Sequence, residues 1–186
     1  IEMAPGVFKD LANNNYAGIS SATSWNFIVK YLNPPPDLCS SSGTILREFW
    51  SNVNGYNISD IPVNTPPTST SELTIFESPE NAGDNYGQRV SGMICPPVTG
   101  NYIFWIASDD KSELWLSTDA NPSNKTKIAS VSGWTDTGEW DKYPSQQSTS
   151  ISLTAGTKYY IEALHKEGTL GDHLAVGWQI PGGITE

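Results

Sequence analysis

The sequence predicts an all-β protein, built as an antiparallel β-sandwich or barrel. Several short segments alternate between apolar and polar residues with a period of two, and Gly, Pro, Asn or Asp residues bound each of them. The 16 Gly and 13 Pro residues are typical of a chain with many turns and disfavour long helices. Only 37% of the residues are hydrophobic, but 7 Trp, 8 Tyr and 5 Phe supply large side chains for a core.

The clearest strand covers residues 102–107. Tyr102, Phe104 and Ile106 share one of its faces. Ile103 and Trp105 make the other face apolar as well, so we expect a central strand that is covered on both sides. Further strands are predicted at 113–117, which we expect to pair next to the first, and at 151–153, 159–163 and 174–178. Short strands at this spacing are typical of a sandwich or barrel.

The first 30 residues differ from the rest of the chain. Residues 7–16 predict a loop and 22–29 a single strand, which is too little to bury a core. They resemble the end of a bacterial immunoglobulin-like repeat, in which an Asp-Leu-Ala-Asn turn precedes a Thr-x-Trp-x-Phe strand. We predict two parts, 1–30 and 31–186, separated by the stiff segment 34–36. The first part is either the C-terminal fragment of such a module or an N-terminal strand extension of the second.

The formal net charge of −10 limits the possible partners. Phosphate backbones and anionic membranes require clustered Lys and Arg residues, so we expect neither a nucleic acid nor a membrane as partner. No apolar run approaches the ~20 residues of a membrane span. Cys39 and Cys95 lie too far apart for typical metal-ligand spacing, and they form either one disulfide or two buried thiols.

Two loops carry the candidate chemistry. Asp109 and Asp110 directly follow the first strand, and adjacent carboxylates repel each other unless a cation or hydrogen bonds neutralise them. Neighbouring side chains on a strand point to opposite faces, so the backbone must depart from strand geometry if both are to bind one ion. The loop 165–173 adds two glycines and Asp172. If strands 102–107 and 174–178 are neighbours, both loops project from the same end of the sandwich and suit calcium, which prefers oxygen ligands.

The run GMICPPVTGNYIFWIASDDKSELWLS, followed by YPSQQS, TAGTKYYIEALHKEG and GDHLAVGWQIPGG, resembles the PA-fourteen (PA14) domain. This family has the β-sandwich of the anthrax protective antigen, and the resemblance covers residues 40–183. In its lectin-type members, two consecutive aspartates joined by a cis peptide hold a calcium ion. That ion chelates vicinal hydroxyls of a sugar.

The resemblance assigns roles to residues of this chain. Asp109 and Asp110 match the aspartate pair. The segment 171–173 matches the second calcium loop, which supplies a side chain and backbone carbonyls. An Asn often stands where this chain has His173, so we expect the His173 carbonyl to be the ligand; Lys111 also replaces a small or polar residue. The implied metal ligands are Asp109, Asp110, Gly171, Asp172 and His173, and the implied sugar contacts are Asp109, Asp110, Gln147, Asp172 and His173.

The resemblance implies a calcium-dependent lectin or adhesin module without catalytic activity. We expect a monomeric, extracellular module of a larger bacterial surface protein that attaches to glycans with vicinal hydroxyls. The alternative is a calcium-rigidified structural or protein-interaction module of a secreted multidomain protein or glycosidase. No nucleophile elbow, zinc-binding His motif or phosphate loop indicates an enzyme. We expect His165 to be structural, and Trp134 and Trp140 either to stack on sugars or to be buried.

Overall fold

The structure is a computed structural model that describes Cys39 and residues 43–182. In this part of the chain, nine strands alternate with turns and three short 3-10 helices. The strands are β1 (Ile45–Trp50), β2 (Ser69–Leu73), β3 (Tyr86–Ile94), β4 (Gly100–Asp109), β5 (Lys111–Ser117), β6 (Lys125–Val131), β7 (Ile151–Leu153), β8 (Tyr159–Glu167) and β9 (His173–Gln179). The 3-10 helices are Ile58–Asp60, Pro122–Asn124 and Pro144–Gln146. The fold class is therefore all-β, as predicted. The predicted module at 1–30 lies outside the described residues.

The strands form two antiparallel sheets. The larger sheet has the order β2-β1-β3-β8-β5-β6, and the smaller sheet has the order β7-β4-β9. β4 is central in its sheet, as predicted. The expectation that the strand at 113–117 pairs beside β4 is wrong, because β5 pairs with β8 and β6 in the larger sheet. The chain crosses from one sheet to the other directly after Asp109, so successive strands are not neighbours here.

The core lies between the two sheets and follows the period of two. Tyr102, Phe104 and Ile106 of β4 are almost completely buried. Ile103 and Trp105 on the outer face of β4 are half-buried, so that face is less covered than predicted. The larger sheet contributes, among others, Val90, Leu114, Leu116, Ile161 and Ala163. Full burial of one large apolar side chain contributes about 1.5–3 kcal/mol, so this cluster holds the two sheets together.

A second, smaller cluster lies beneath the loop at 51–64 and consists of Trp50, Val53 and Ile61. The loop has a fixed shape at Gly55, whose φ is +91°. A Cβ atom at Gly55 would lie 2.2 Å from the Asp60 carboxylate, so only glycine fits there. The same carboxylate accepts a hydrogen bond from the Asn57 amide at 2.9 Å. Tyr56 lies between these two residues, and its side chain is exposed.

Cys39 and Cys95 form a disulfide. This pairing decides between the two alternatives that the sequence left open, and it is typical of proteins from oxidising compartments. Of the helices in the described part of the chain, none has the length and apolar character needed to cross a membrane.

Candidate functional site

The candidate site lies at the corner where the chain leaves the smaller sheet and enters the larger one. β4 ends at Asp109, β5 begins at Lys111, and the Asp109–Asp110 peptide bond is cis, as the resemblance implies. The buried Ser108 supports this corner, because its hydroxyl donates a hydrogen bond to the Asp110 carbonyl at 2.6 Å. Both aspartate side chains are half-buried. The backbone thus departs from strand geometry between the two aspartates, as predicted.

Asp109 lies between two other segments of the chain. On one side it is the register partner of His173, the first residue of β9. On the other side it forms an isolated β-bridge with Trp134. Because β4 and β9 are antiparallel neighbours, the loop that precedes His173 lies at the same end of the sandwich as the aspartate pair. This arrangement confirms the predicted adjacency of the two loops.

Two buried side chains of β8 fix the peptide group between the aspartates. The His165 Nε2 atom lies 2.8 Å from the Asp109 carbonyl oxygen. The Asp110 amide donates to Glu167 Oε2 at 2.9 Å. Alternate residues of a strand point to the same face, so His165 and Glu167 can bind the two polar groups of one peptide together. The aspartate pair is therefore positioned by the neighbouring strand as well as by its own backbone.

His165 acts in this contact as a neutral ring. A carbonyl oxygen can only accept, so Nε2 carries the proton, and Nδ1 accepts from Gln88 Nε2 at 2.8 Å. Complete burial lowers the pKa of His165 to about 4. The ring thus stays uncharged at neutral pH and keeps both hydrogen bonds. Its position in the core agrees with the structural role expected from the sequence.

Three carboxylates converge at this corner. One oxygen each of Asp109, Asp110 and Glu167 lies within 4.8 Å of the other two. Two oxygens that bind the same calcium ion are at most about 5 Å apart, since each Ca–O distance is about 2.3–2.6 Å. Glu167 Oε1 is buried and has no hydrogen-bond partner. A set of hard oxygen donors with one unsatisfied buried oxygen suits a divalent cation such as calcium.

The protonation of these groups reflects their crowding. Burial, followed by the Asp110 charge, raises the pKa of Glu167 to about 8. Burial and the same neighbouring charge raise the pKa of Asp109 to about 6. Both shifts oppose the accumulation of negative charge in a partly desolvated space. A bound cation would reverse this balance and favour the ionised forms.

Asp172 lies close to this group, but its oxygens already have protein partners. Oδ1 accepts from the Tyr86 hydroxyl at 2.9 Å, and Oδ2 accepts from the Gly83 amide at 3.2 Å. The Asp172 charge still contributes to the raised pKa of Glu167. In this structure the side chain braces the loop at 79–85 against β9. Its assignment as a metal ligand and sugar contact stays a prediction.

The other two residues of the predicted calcium loop differ in exposure. Gly171 is exposed, and a Cβ atom there would meet only Asn81 Oδ1 at 3.8 Å. His173 is buried, and its Nε2 atom lies 3.4 Å from Thr135 Oγ1. Burial lowers the pKa of His173. The carbonyl of His173 as a ligand, like that of Gly171, stays a prediction.

Gln147 is not brought to the acidic corner. It forms an isolated β-bridge with Trp105, four residues before Asp109 on β4, and it lines a cleft between β6 and β7. Four residues of a strand span about 13 Å. Its neighbour Gln146 is fully buried and donates to the carbonyls of Ile106 and Glu139. Its position beside Trp105 does not place Gln147 next to the aspartates, and its contact with sugar stays a prediction.

Two exposed aromatic side chains lie near the site. Tyr56 is 74% exposed, and its ring lies 3.5 Å from the position of a Cβ atom at Gly168. Trp134 is 48% exposed, and the Lys142 ammonium lies 3.0 Å from its ring centroid. The sequence left open whether Trp134 and Trp140 are exposed or buried, and Trp134 is exposed. Trp140 is half-buried and lines a groove beside Trp105.

Glu167 is the residue beside the aspartate pair that sequence reasoning did not select as a candidate ligand. Tyr159, Ile161 and Ala163 indicate the inward face of β8, and the same period of two places Glu167 on that face. A carboxylate at a core position is rare unless it is paired or coordinates a metal. A glutamate at a core position of β8 was therefore the sequence signal that could have identified Glu167.

Residues 40–186 match the family model of the PA14 domain. The chain belongs to the PA14 domain family.

Two curated mammalian proteins are similar to this PA14 domain. A mouse N-acetyl-beta-glucosaminyl-glycoprotein 4-beta-N-acetylgalactosaminyltransferase 1 is 42% identical over 124 residues, which are 63% of this chain and 12% of that protein. Fibrocystin of the dog is 33% identical over 105 residues, which are 53% of this chain and 3% of that protein. The chain thus spans a small part of these relatives. Both are eukaryotic, so a bacterial parent protein stays a prediction.

Solved PA14-like structures share the fold. The epithelial adhesin 9 A domain of Candida glabrata, in complex with Galβ1-3GlcNAc, has a TM-score of 0.57 at 15% identity. That match covers 82% of this chain and 88% of the other. A PA14 sugar-binding domain from an RTX adhesin has a TM-score of 0.57 at 12% identity, with coverage of 77% and 93%. At identities this low, the similarity to these structures shows a shared fold only.

Proposed function

We propose that this PA14 domain is a calcium-dependent carbohydrate-binding module. The observation that carries the proposal is the convergence of three carboxylates within 4.8 Å, one of them with a buried oxygen that has no partner. The residues that would hold the ion are Asp109, Asp110 and Glu167, with backbone carbonyls of the loop at 171–173. When bound, calcium supplies open coordination positions for two neighbouring hydroxyls of a sugar.

The protein's own groups complete the sugar site. The carboxylate oxygens of the aspartate pair are exposed enough to accept hydrogen bonds from those hydroxyls. Tyr56 lies near Gly168 and Trp134 is the bridge partner of Asp109, and exposed aromatic surfaces such as these pack against the C–H faces of pyranose rings. Sugar complexes of similar folds, such as that of the Candida glabrata adhesin, support carbohydrate as the ligand class.

The proposed setting is extracellular. The Cys39–Cys95 disulfide and the acidic surface support a secreted or cell-surface protein. A site with few direct sugar contacts has a low affinity for one monosaccharide, near millimolar (about −4 kcal/mol). Display of several copies on a surface would raise the overall strength of attachment. The activity of the transferase relative is not carried over, because the shared segment is a small part of it.

A glycan array tests the proposal. The purified chain is applied in calcium, in magnesium and in chelator, together with the Asp110→Asn variant. We expect binding to glycans with suitably oriented vicinal hydroxyls in calcium alone, and loss of that binding in the variant. Glycan binding that survives chelation unchanged contradicts the calcium mechanism. Intact calcium binding with a blank array supports the alternative, a calcium-rigidified structural or protein-interaction module.

A further inference from the structure

An aromatic groove lies along β9 on the smaller sheet, apart from the acidic corner. Its cavity has a volume of about 740 Å³, and small-ligand sites commonly measure about 300–1,000 Å³. Trp105, Trp140 and Trp178 line the groove, and each of them is half-buried. The lining contains none of the residues assigned above to calcium or to sugar. The acidic corner therefore does not account for this groove.

The groove presents hydrogen-bond donors that have no partner among the described residues. Outside the groove, Trp50 and Trp115 donate their indole N–H groups to the Thr65 carbonyl and to Glu113. In contrast, no indole N–H group of the three groove tryptophans has a hydrogen-bond partner in the described part of the chain. An indole N–H group can only donate. A ligand that covers these donors must therefore offer acceptors, because buried polar groups without partners are costly.

The charge of the groove is negative. Glu77 is the only charged residue of its lining, its side chain is exposed, and it forms no ion pair with any described residue. The whole chain has a formal net charge of −10. An anionic ligand is therefore repelled from the groove, and a basic side chain is attracted to it. Ile75, which is 61% exposed, adds apolar surface to the lining.

These properties suit a peptide in the polyproline II conformation. Such a peptide has no internal hydrogen bonds, so its carbonyl groups can accept from a partner. Proline has no N–H group, so a proline-rich segment needs few acceptors in return. A sugar fits this lining less well, because its hydroxyl groups also donate and only Glu77 and Gln179 provide side-chain acceptors.

We infer that this groove binds proline-rich, basic peptide segments of a partner protein. The indole N–H groups donate to carbonyls of the peptide, its proline rings pack on the aromatic surface, and Glu77 attracts a Lys or Arg side chain. The inference does not rest on the calcium site. Because a polyproline II segment loses little entropy on binding, we expect an affinity of about 10–500 μM. The domain thus has a second, metal-independent binding mode.

Fluorescence anisotropy with a labelled peptide tests the inference. The probe has about ten residues, with two Pro-Pro-Leu units followed by one arginine. One control peptide has alanine in place of every proline, and the other has glutamate in place of the arginine. We expect the probe to bind the purified chain equally in calcium and in chelator. The alanine peptide should bind at least about tenfold more weakly, and the glutamate peptide about threefold more weakly.

Two variants test the assignment to the groove. Trp140 lies in a loop outside the core cluster, and Trp140→Ala should weaken probe binding at least about tenfold. Glu77→Gln should weaken the arginine probe about threefold and strengthen the glutamate peptide. Trp115→Ala is the matched control, because Trp115 is also half-buried but lies on β5 outside the groove. Circular dichroism and thermal unfolding report whether each variant folds.

The indole N–H signals in heteronuclear NMR report on the groove in the wild-type protein, with assignments from single Trp→Phe variants. We expect the bound probe to shift the signals of Trp105, Trp140 and Trp178. The signals of Trp50 and Trp115 should stay in place, since these N–H groups already have partners.

Three results would overturn the inference. The first is an alanine peptide that binds as tightly as the probe. The second is an absence of shifts in all three groove signals at millimolar probe. The third is a neutral oligosaccharide, such as maltohexaose, that shifts these signals in chelator while the probe does not. The calcium proposal is tested separately, by the loss of glycan binding in Asp110→Asn.

Discussion

The two sides of the aspartate pair are built differently. On the Asp110 side the contacts are buried and fixed: its amide bonds to Glu167, and its carboxylate accepts from the Gly168 amide at 3.0 Å. On the Asp109 side the neighbours are the exposed Trp134 and the first residue of β9. The Asp110 carboxylate is thus fixed by the loop that follows β8, whereas Asp109 is placed through its backbone contacts with β9 and Trp134.

The largest expected effect comes from calcium itself. At a calcium concentration of 100 times Kd, binding raises the free energy of unfolding by about 2.7 kcal/mol. For a domain of this size, we expect Tm to rise by about 5–10 °C. Differential scanning fluorimetry in calcium and in chelator measures the shift. The double variant Asp109→Asn/Asp110→Asn should show none, whereas Glu72→Gln, an exposed carboxylate of β2, should shift as wild type does. A shift retained in the double variant would place the ion elsewhere.

Gly168→Ala tests the packing on the Asp110 side of the pair. A Cβ atom there would lie 3.0 Å from Asp110 Oδ2 and 3.5 Å from the Tyr56 ring, so the carboxylate would have to move. We expect a loss of about 1–2 kcal/mol of stability in calcium and about tenfold weaker calcium binding. Gly171→Ala is the matched control in the same loop, since its Cβ meets only Asn81 at 3.8 Å. Equal effects of the two variants would contradict the close packing assigned to the Asp110 side.

The buried carboxylates predict an unusual pH dependence without calcium. The folded-state pKa values of Glu167 and Asp109, about 8 and about 6, lie above those of ordinary carboxyl groups. The folded protein then binds more protons than the unfolded chain. Their stabilising contribution is complete below about pH 4 and is lost as the pH rises through 6 and 8. We expect Tm in chelator to fall over this range by a few degrees more in wild type than in Glu167→Gln. Identical profiles would contradict the raised pKa of Glu167.

The smallest expected effects concern the aromatic rims. Tyr56 is open to solvent on the Asp110 side, whereas the Lys142 ammonium covers one face of Trp134 on the other side. We expect Tyr56→Ala to weaken sugar binding about 3–10-fold and Trp134→Ala less than about twofold, without change in calcium affinity. Calorimetric titration with a sugar found on the array measures both. A larger loss in Trp134→Ala would move the sugar to the Asp109 side.

The fold and part of the site could be predicted from sequence, for physical reasons. Alternation of apolar residues determined where β4, β8 and β9 lie, because burial on one face imposes a period of two. The aspartate pair and its cis peptide came from the family resemblance. The sequence could not predict that β5 pairs with β8 and β6, since this pairing depends on the crossover of the chain from one sheet to the other. The contact of Glu167 with the Asp110 amide depends on the register of β8 against β5, in which Lys166 faces Lys111. Period and composition do not encode such a register.

The crossover at Asp109 has a mechanical consequence. Asp109 belongs to the smaller sheet, in which β4 pairs with β9, and Glu167 belongs to the larger sheet, in which β8 pairs with β3 and β5. A cation bound by both carboxylates would cross-link the two sheets of the sandwich. Force applied to a ligand bound at the cation would then be transmitted to both sheets. The domain would then resist shear between its two sheets at this position.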